Sequence, residues 1–135
     1  MFRQKMLLGS ILCALLLTFS LNAFAVADCS RKGDLAVTAA GAALDISGKV
    51  EVRARGNRQR FKLSMDARVA EGTTFAVYAN GNLAGTITIN AFGDGEIELA
   101  NDAGKVLPAA ITPVCSIQTV EVRDGNGVAV LSGTF

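Results

Sequence analysis

Apolar and polar residues alternate on both sides of short Gly-Asn turns, and this period of two constrains the fold more than any other feature of the sequence. Val50 and Val52 alternate with polar residues before Gly56-Asn57, and Phe61 and Leu63 do so after it. Such alternation is typical of half-buried strands, and a two-residue loop that begins with Gly matches the twist of a hairpin. The pattern predicts a hairpin in which Val52 lies opposite Phe61 and Val50 opposite Leu63.

The same pattern predicts two more hairpins. One turns through a three-residue loop, Asn80-Gly81-Asn82, and the other turns about Gly125-Asn126 near the end of the chain. Gly and Asn suit such loops because they adopt the left-handed conformation readily. The predicted opposite pairs are Phe75–Ile87 and Ala79–Leu83 in the first of these hairpins, and Val122–Ala129 and Val120–Leu131 in the second.

The remaining segments complete an all-β prediction. Ile97 and Leu99 continue the alternation, residues 35–46 supply one or two strands with some helical character, and residues 101–113 form a longer loop. Hydrophobic residues make up 50% of the chain, which is enough to build a core and excludes a disordered protein. We therefore expect a compact antiparallel β-sandwich of Ig-like architecture or a small barrel, with about eight strands. The sequence does not choose between sandwich and barrel.

The N-terminal segment has the three parts of a secretory signal peptide. Arg3 and Lys5 precede an apolar run over residues 6–17, and small residues at 23–27 offer cleavage sites. We expect residues 1–27 to be removed and residues 28–135 to form a single β-sandwich domain, secreted or periplasmic, without a transmembrane segment. Retention of the run as an N-terminal anchor is the alternative.

Cleavage would leave two cysteines, Cys29 and Cys115. In an oxidising compartment such a pair predicts a disulfide. Closing a loop of 86 residues would stabilise the fold by roughly 4 to 5 kcal/mol in the chain-entropy model. Lipidation of Cys29 is the alternative, but Asp28 stands where lipoprotein signals place a small uncharged residue.

Basic and acidic residues are separated along the chain. Basic residues dominate residues 49–68, whereas acidic residues dominate residues 69–135. In the predicted register the basic side chains face away from the core, with Arg53 opposite Arg60 and Arg55 beside Arg58, an arrangement that costs stability. The hypothesis is an anion-binding strip for phosphate, sulfate or carboxylate groups, and the alternative is a solvated face that prevents edge pairing. The candidate ligand-binding residues are Arg53, Arg55, Arg58, Arg60 and Lys62.

The sequence contains no recognisable set of catalytic residues. The chain has no histidine, which excludes Ser-His-Asp and Cys-His catalysis, and we expect no catalytic residues, no metal and no cofactor. Two turns, 94–96 and 124–127, resemble calcium loops only in having acidic residues beside glycine. Tyr78 lies on the outward face of its strand as a potential contact residue.

We therefore expect an exported, non-catalytic binding or structural module of the cell envelope whose basic hairpin binds an anionic ligand, for example an envelope polymer, that the sequence does not identify. The alternative is a self-associating surface or matrix protein, in which the basic hairpin meets Glu96 and Glu98 of a neighbour. A small hydrolase or inhibitor is a weaker alternative.

Several motifs of residues 48–135 resemble a set of small, exported, uncharacterised bacterial β-domain proteins. The motifs are Phe75-x-Val77-Tyr78-x-Asn80-Gly81-x-x-x-Gly85-x-Ile87, Gly95-x-Ile97-x-Leu99, Val120-x-Val122-Arg123-Asp124 and the closing Leu131-Ser132-Gly133-Thr134-Phe135. They occupy turn and core positions. The resemblance implies the β fold and export, and it assigns no catalytic or binding residue.

Overall fold

Nine β-strands and one short helix make up residues 28–135, the part of the chain that the computed structural model describes. The predicted signal peptide lies outside these residues. The helix α1 is a single turn, and two further turns of 3₁₀-helix cover Ala109–Ile111 and Val114–Ser116. In chain order the elements are β1 (Cys29–Asp34), β2 (Ala36–Val37), α1 (Ala39–Ala42), β3 (Ser47–Arg55), β4 (Arg58–Asp66), β5 (Thr74–Ala79), β6 (Asn82–Thr88), β7 (Asp94–Ala100), β8 (Thr119–Arg123) and β9 (Ala129–Thr134).

The strands form two antiparallel sheets that pack face to face. The first sheet has the order β1-β3-β4-β7, and the second has the order β2-β9-β8-β5-β6. The two sheets do not close into one barrel. The all-β prediction is therefore confirmed. Of the two architectures that the sequence allowed, a sandwich and a small barrel, the structure has the sandwich.

The hairpin of β3 and β4 has the predicted register. Val52 lies opposite Phe61 and Val50 opposite Leu63, and all four side chains are buried. Gly56 has a φ of +58°, the left-handed region that a Gly-first loop requires. Turn chemistry and hydrophobic pattern agree at this hairpin, and that agreement fixed its register.

The hairpin of β5 and β6 departs from its prediction near the turn. Phe75 lies opposite Ile87 as expected, but Ala79 lies opposite Asn82 rather than Leu83. The loop has only two residues, Asn80 and Gly81, both at positive φ, and the register shifts at a β-bulge further along the strands. The bulge turns Leu83 outward, where 56% of it is exposed, and buries Ala84.

The last hairpin was predicted in the wrong register. Val122 lies opposite Leu131 rather than Ala129, and Val120 lies opposite Gly133. The loop is longer than predicted because the side chain of Asp124 accepts hydrogen bonds from the backbone N–H groups of Asn126 and Val128. This turn and a bulge next to Val122 shift the pairing by two residues.

The N-terminal strand begins earlier than the hydrophobic pattern indicates. Residues 35–46 supply one short strand, β2, and the helix α1, in agreement with the expected strand and helical character, but β1 starts earlier, at Cys29. Thr38 caps the helix by accepting a hydrogen bond from the N–H of Gly41. Gly41 is required there because a Cβ would lie 2.1 Å from the carbonyl oxygen of Val130.

A single hydrophobic core fills the space between the sheets. Its largest fully buried side chains include Phe61 from the first sheet and Phe75 from the second. At the β6–β7 side the sheets approach closely, since a Cβ on Gly95 would lie only 2.4 Å from Cγ2 of Ile87. Phe135 packs half-buried against the opposite margin of the core.

Candidate anion-binding site at the hairpin tip

The first sheet presents a face made of charged and polar side chains. Its outward positions form rows across the four strands, because residues opposite one another in an antiparallel sheet point to the same side. The row through Lys32, Glu51, Lys62 and Glu98 alternates in charge, whereas Asp66 and Asp94 lie opposite each other at the far end. All five predicted binding residues lie on this face, at or toward the β3–β4 turn: Arg53, Arg55, Arg58, Arg60 and Lys62.

Two of the five predicted residues have acidic partners on β7. The Nε of Arg60 lies 3.1 Å from Oε1 of Glu98, although its N–H is not aimed at that oxygen, and the Nζ of Lys62 lies 3.5 Å from Oε2 of Glu96. These ion pairs are exposed and contribute little stability. They nevertheless neutralise Arg60 and Lys62, so these residues are less available to a ligand than the sequence suggested.

The other three arginines form what we call the arginine tip: Arg53, Arg55 and Arg58. Each is exposed, and within residues 28–135 none of them forms an ion pair. Arg55 lies directly opposite Arg58, and Arg53 opposite Arg60. Like charges in these positions repel, which destabilises the hairpin unless an anion lies between them.

A shallow depression of about 330 Å³ lies beside the arginine tip and is open to solvent. The side chains around this depression carry guanidinium, amide and carboxylate groups. The residues that line it are Arg53, Arg55, Arg58, Gln59, Arg60, Ala100, Asn101 and Asp102.

Asn101 joins the loop after β7 to the hairpin. Its Oδ1 accepts a hydrogen bond of 2.8 Å from the N–H of Gln59, and its Nδ2 donates one of 2.7 Å to the carbonyl oxygen of Asn57. Both contacts are made next to the β3–β4 turn, so they limit its motion. Apart from an Asn directly after a predicted strand, no pattern in the sequence points to this role.

Two further polar contacts fix the base of the tip. Oδ1 of Asp28 accepts a 2.8 Å hydrogen bond from the N–H of Gly56 in the turn. Oε1 of the buried Gln59 accepts a 2.9 Å hydrogen bond from the N–H of Val114. The arginine tip is therefore tied to the residue that precedes β1 and to the 3₁₀ turn that contains Cys115.

The disulfide lies next to this base. Cys29 and Cys115 are bonded with a Cα–Cα distance of 5.9 Å, and Cys29 pairs with Ala54 on β3. The predicted disulfide is thereby confirmed, and it occupies the sulfur that lipidation would need. Nη2 of Arg31 donates a 2.9 Å hydrogen bond to the carbonyl oxygen of Cys115, a contact that sequence reasoning missed. Together these contacts hold the tip on a rigid support.

Tyr78 is not a free contact residue. The guanidinium carbon of Arg123 lies 3.8 Å from the centroid of the Tyr78 ring, on the outer face of the second sheet. A hydrogen bond from Arg123 to Glu121, together with the charge of Glu121, raises the pKa of the Arg123 guanidinium above its ordinary value. Arg123 therefore remains charged and covers one face of the ring.

Of the two segments that resembled calcium loops, residues 94–96 begin strand β7, and residues 124–127 form the turn of the last hairpin. Oδ1 of Asp124 is occupied by the two backbone N–H groups that shape the last hairpin. Within residues 28–135 no three His, Cys, Asp or Glu side chains lie together in a way that could hold a metal ion. Nor does this part of the chain contain a helix long and apolar enough to cross a membrane.

No protein-family model matches this chain, and no curated protein matches it.

Proposed function

We propose that the protein is an exported, non-catalytic binding module of the cell envelope and that the arginine tip binds an anionic group. One observation carries the proposal: Arg53, Arg55 and Arg58 stay unneutralised among the described residues, while Arg60 and Lys62 beside them are paired with carboxylates. Guanidinium groups bind phosphate, sulfate and carboxylate through paired N–H donors.

The rigid support of the tip is consistent with binding. Hydrogen bonds from Asn101 and Asp28 and the nearby disulfide hold the turn in place. A ligand that meets positioned arginines loses less entropy on binding than one that must order a mobile loop. The repulsion between Arg55 and Arg58 would also decrease when an anion lies between them.

Export rests on two features of the chain. Residues 1–27 have the composition of a signal peptide. The disulfide is typical of oxidising compartments such as the periplasm or the extracellular space. We accordingly place the module outside the cytoplasm.

Self-association ranks behind anion binding. It was expected to use Glu96 and Glu98 of a neighbouring copy, and these carboxylates already pair with Lys62 and Arg60 of the same molecule. Association by that route would have to break two ion pairs to form two similar ones. The hydrolase or inhibitor alternative has no residue set among the described side chains that favours it.

Elution from phosphocellulose tests the proposal. The exported, processed wild type is compared with a tip variant, R53Q/R55Q/R58Q, and with a control, K32Q/K49Q/R68Q, that loses the same net charge elsewhere on the surface. We expect the tip variant to elute at clearly lower salt than the control, because only the tip concentrates unpaired guanidinium groups. Equal elution of the two variants would mean that net charge alone governs retention, and the proposed site would be wrong.

A further inference from the structure

We infer that the ligand of the arginine tip is an acidic polysaccharide, an extended sugar chain that carries phosphate, sulfate or carboxylate groups. This inference rests on the proposed function and specifies its ligand class. It depends on the surface that continues from the tip along the end of β7.

A second depression adjoins the first and extends the site into a groove. It has a volume of about 530 Å³ and shares Ala100 and Asp102 with the depression at the tip. Its other lining residues are Glu98, Leu99, Lys105 and Val106. The groove therefore runs from the arginine tip past Asp102 to Lys105, with basic groups at both ends.

The positions of the basic groups suit several anions along a chain better than one compact anion. Arg53 and Arg55 are two residues apart on one face of β3, a separation of about 7 Å along the strand. Lys105 lies at the other end of the groove and forms no ion pair within residues 28–135. A polymer with repeated charges can contact the arginine tip and Lys105 at the same time, with one anionic group at each.

The middle of the groove carries groups that bind hydroxyls. Asn101 uses one N–H of its amide on Asn57, which leaves its second N–H as a donor. The side chain of Asp102 is exposed and takes part in no ion pair among the described residues, so it can accept hydrogen bonds. A carboxylate in this position repels any polyanion, but a sugar offsets that repulsion by donating hydrogen bonds from its hydroxyl groups, which polyphosphate lacks.

Apolar contacts in the groove also fit a sugar ring and not a base. Val106, which is 90% exposed, and the half-buried Leu99 both line the second depression and offer C–H surface there. Neither depression is lined by an aromatic side chain, and Phe61 beneath the hairpin is fully buried. Proteins that bind single-stranded nucleic acids rely on exposed aromatics to stack the bases. The groove therefore favours a polysaccharide over a nucleic acid.

The test compares three probes at one salt concentration: a heparin-derived sulfated oligosaccharide, inorganic polyphosphate of the same charge, and single-stranded oligo-dT. We expect the sulfated oligosaccharide to bind at least tenfold more tightly than the other two. We expect D102A to weaken its binding about two- to tenfold, because a hydrogen-bond acceptor is lost, while strengthening the binding of polyphosphate, because a repulsive charge is lost. K105Q should weaken the binding of oligosaccharides long enough to reach Lys105 from the arginine tip. It should leave the binding of shorter oligosaccharides unchanged.

The outcomes separate this inference from the proposed function. If polyphosphate or oligo-dT binds as tightly as the sulfated oligosaccharide, and D102A strengthens binding to all three probes, the tip binds anions but the polysaccharide assignment is wrong. Equal binding to vesicles of anionic lipid would also overturn it in favour of head groups. If no probe binds at low salt, the proposed function itself fails.

Discussion

Arg55 and Arg58 lie directly opposite each other across the β3–β4 hairpin, one residue from the turn on each strand. Neither has an acidic partner within residues 28–135. Further from the turn, Arg60 pairs with Glu98 and Lys62 pairs with Glu96, so β7 supplies carboxylates to these two basic residues and not to the pair at the turn. The hairpin is thus least stable electrostatically at the place where we propose that it binds its ligand.

Reversing one charge of this pair should stabilise the protein while removing binding. We expect R58E to raise the free energy of unfolding by about 0.2–1 kcal/mol, because a cross-strand repulsion becomes an attraction. Urea denaturation at low salt measures the change, and R58Q serves as the neutral control. A less stable R58E would mean that repulsion between the two arginines is not a feature of the folded protein.

Removing the amide of Asn101 should destabilise the tip. N101A leaves the N–H of Gln59 and the carbonyl oxygen of Asn57 without their partner, and we expect a loss of about 1–3 kcal/mol in unfolding free energy. The control is N126A, since the Asn126 side chain makes no contact of this kind in the last turn. Equal stability of the two variants would show that Asn101 does not hold the hairpin.

Loss of the disulfide should have a larger effect. C29S/C115S opens a loop of 86 residues, and the chain-entropy model gives a loss of roughly 4–5 kcal/mol. Thermal and urea unfolding of this variant, beside the reduced and oxidised wild type, measures the loss. A change below about 1 kcal/mol would contradict the chain-entropy argument for this domain.

Because the two sheets pack closely at β7, a single added methyl group at Gly95 should lower the stability of the protein. G95A would place a Cβ against Cγ2 of Ile87 and Cδ1 of Ile89, and we expect a loss of about 1–3 kcal/mol from overpacking. G125A is the matched control, because a Cβ there meets nothing within 4 Å. Comparable stability of the two variants would mean that the sheets can separate without cost.

The sequence predicted the parts of the fold in which local signals agree. At Gly56-Asn57 the turn type and the apolar alternation both specify one register, and that register is found. At the last turn the alternation tolerates a shift of two residues, because the apolar face stays inward in either register. The side chain of Asp124 and a bulge decide between the two, and neither follows from periodicity.

The candidate site was predictable in its position but not in its extent. Arg53, Arg55, Arg58, Arg60 and Lys62 do share one face, since they alternate on paired strands. Which of them are neutralised depended on β7, which joins β4 across an intervening hairpin and could not be placed from local pattern. Asn101 and Asp102 were missed because they lie in a loop without periodicity.

The salt dependence of heparin binding tests the role of the arginine tip most directly. Affinity for a sulfated oligosaccharide should fall with salt, with a logarithmic slope near −2 to −3 when three anionic groups are neutralised, at roughly 0.7–0.9 per contact. Each of R53Q, R55Q and R58Q should reduce that slope by about one, while K32Q/K49Q/R68Q should leave it unchanged. An unchanged slope in R53Q/R55Q/R58Q, with the slope lost in K32Q/K49Q/R68Q, would contradict a binding site at the tip.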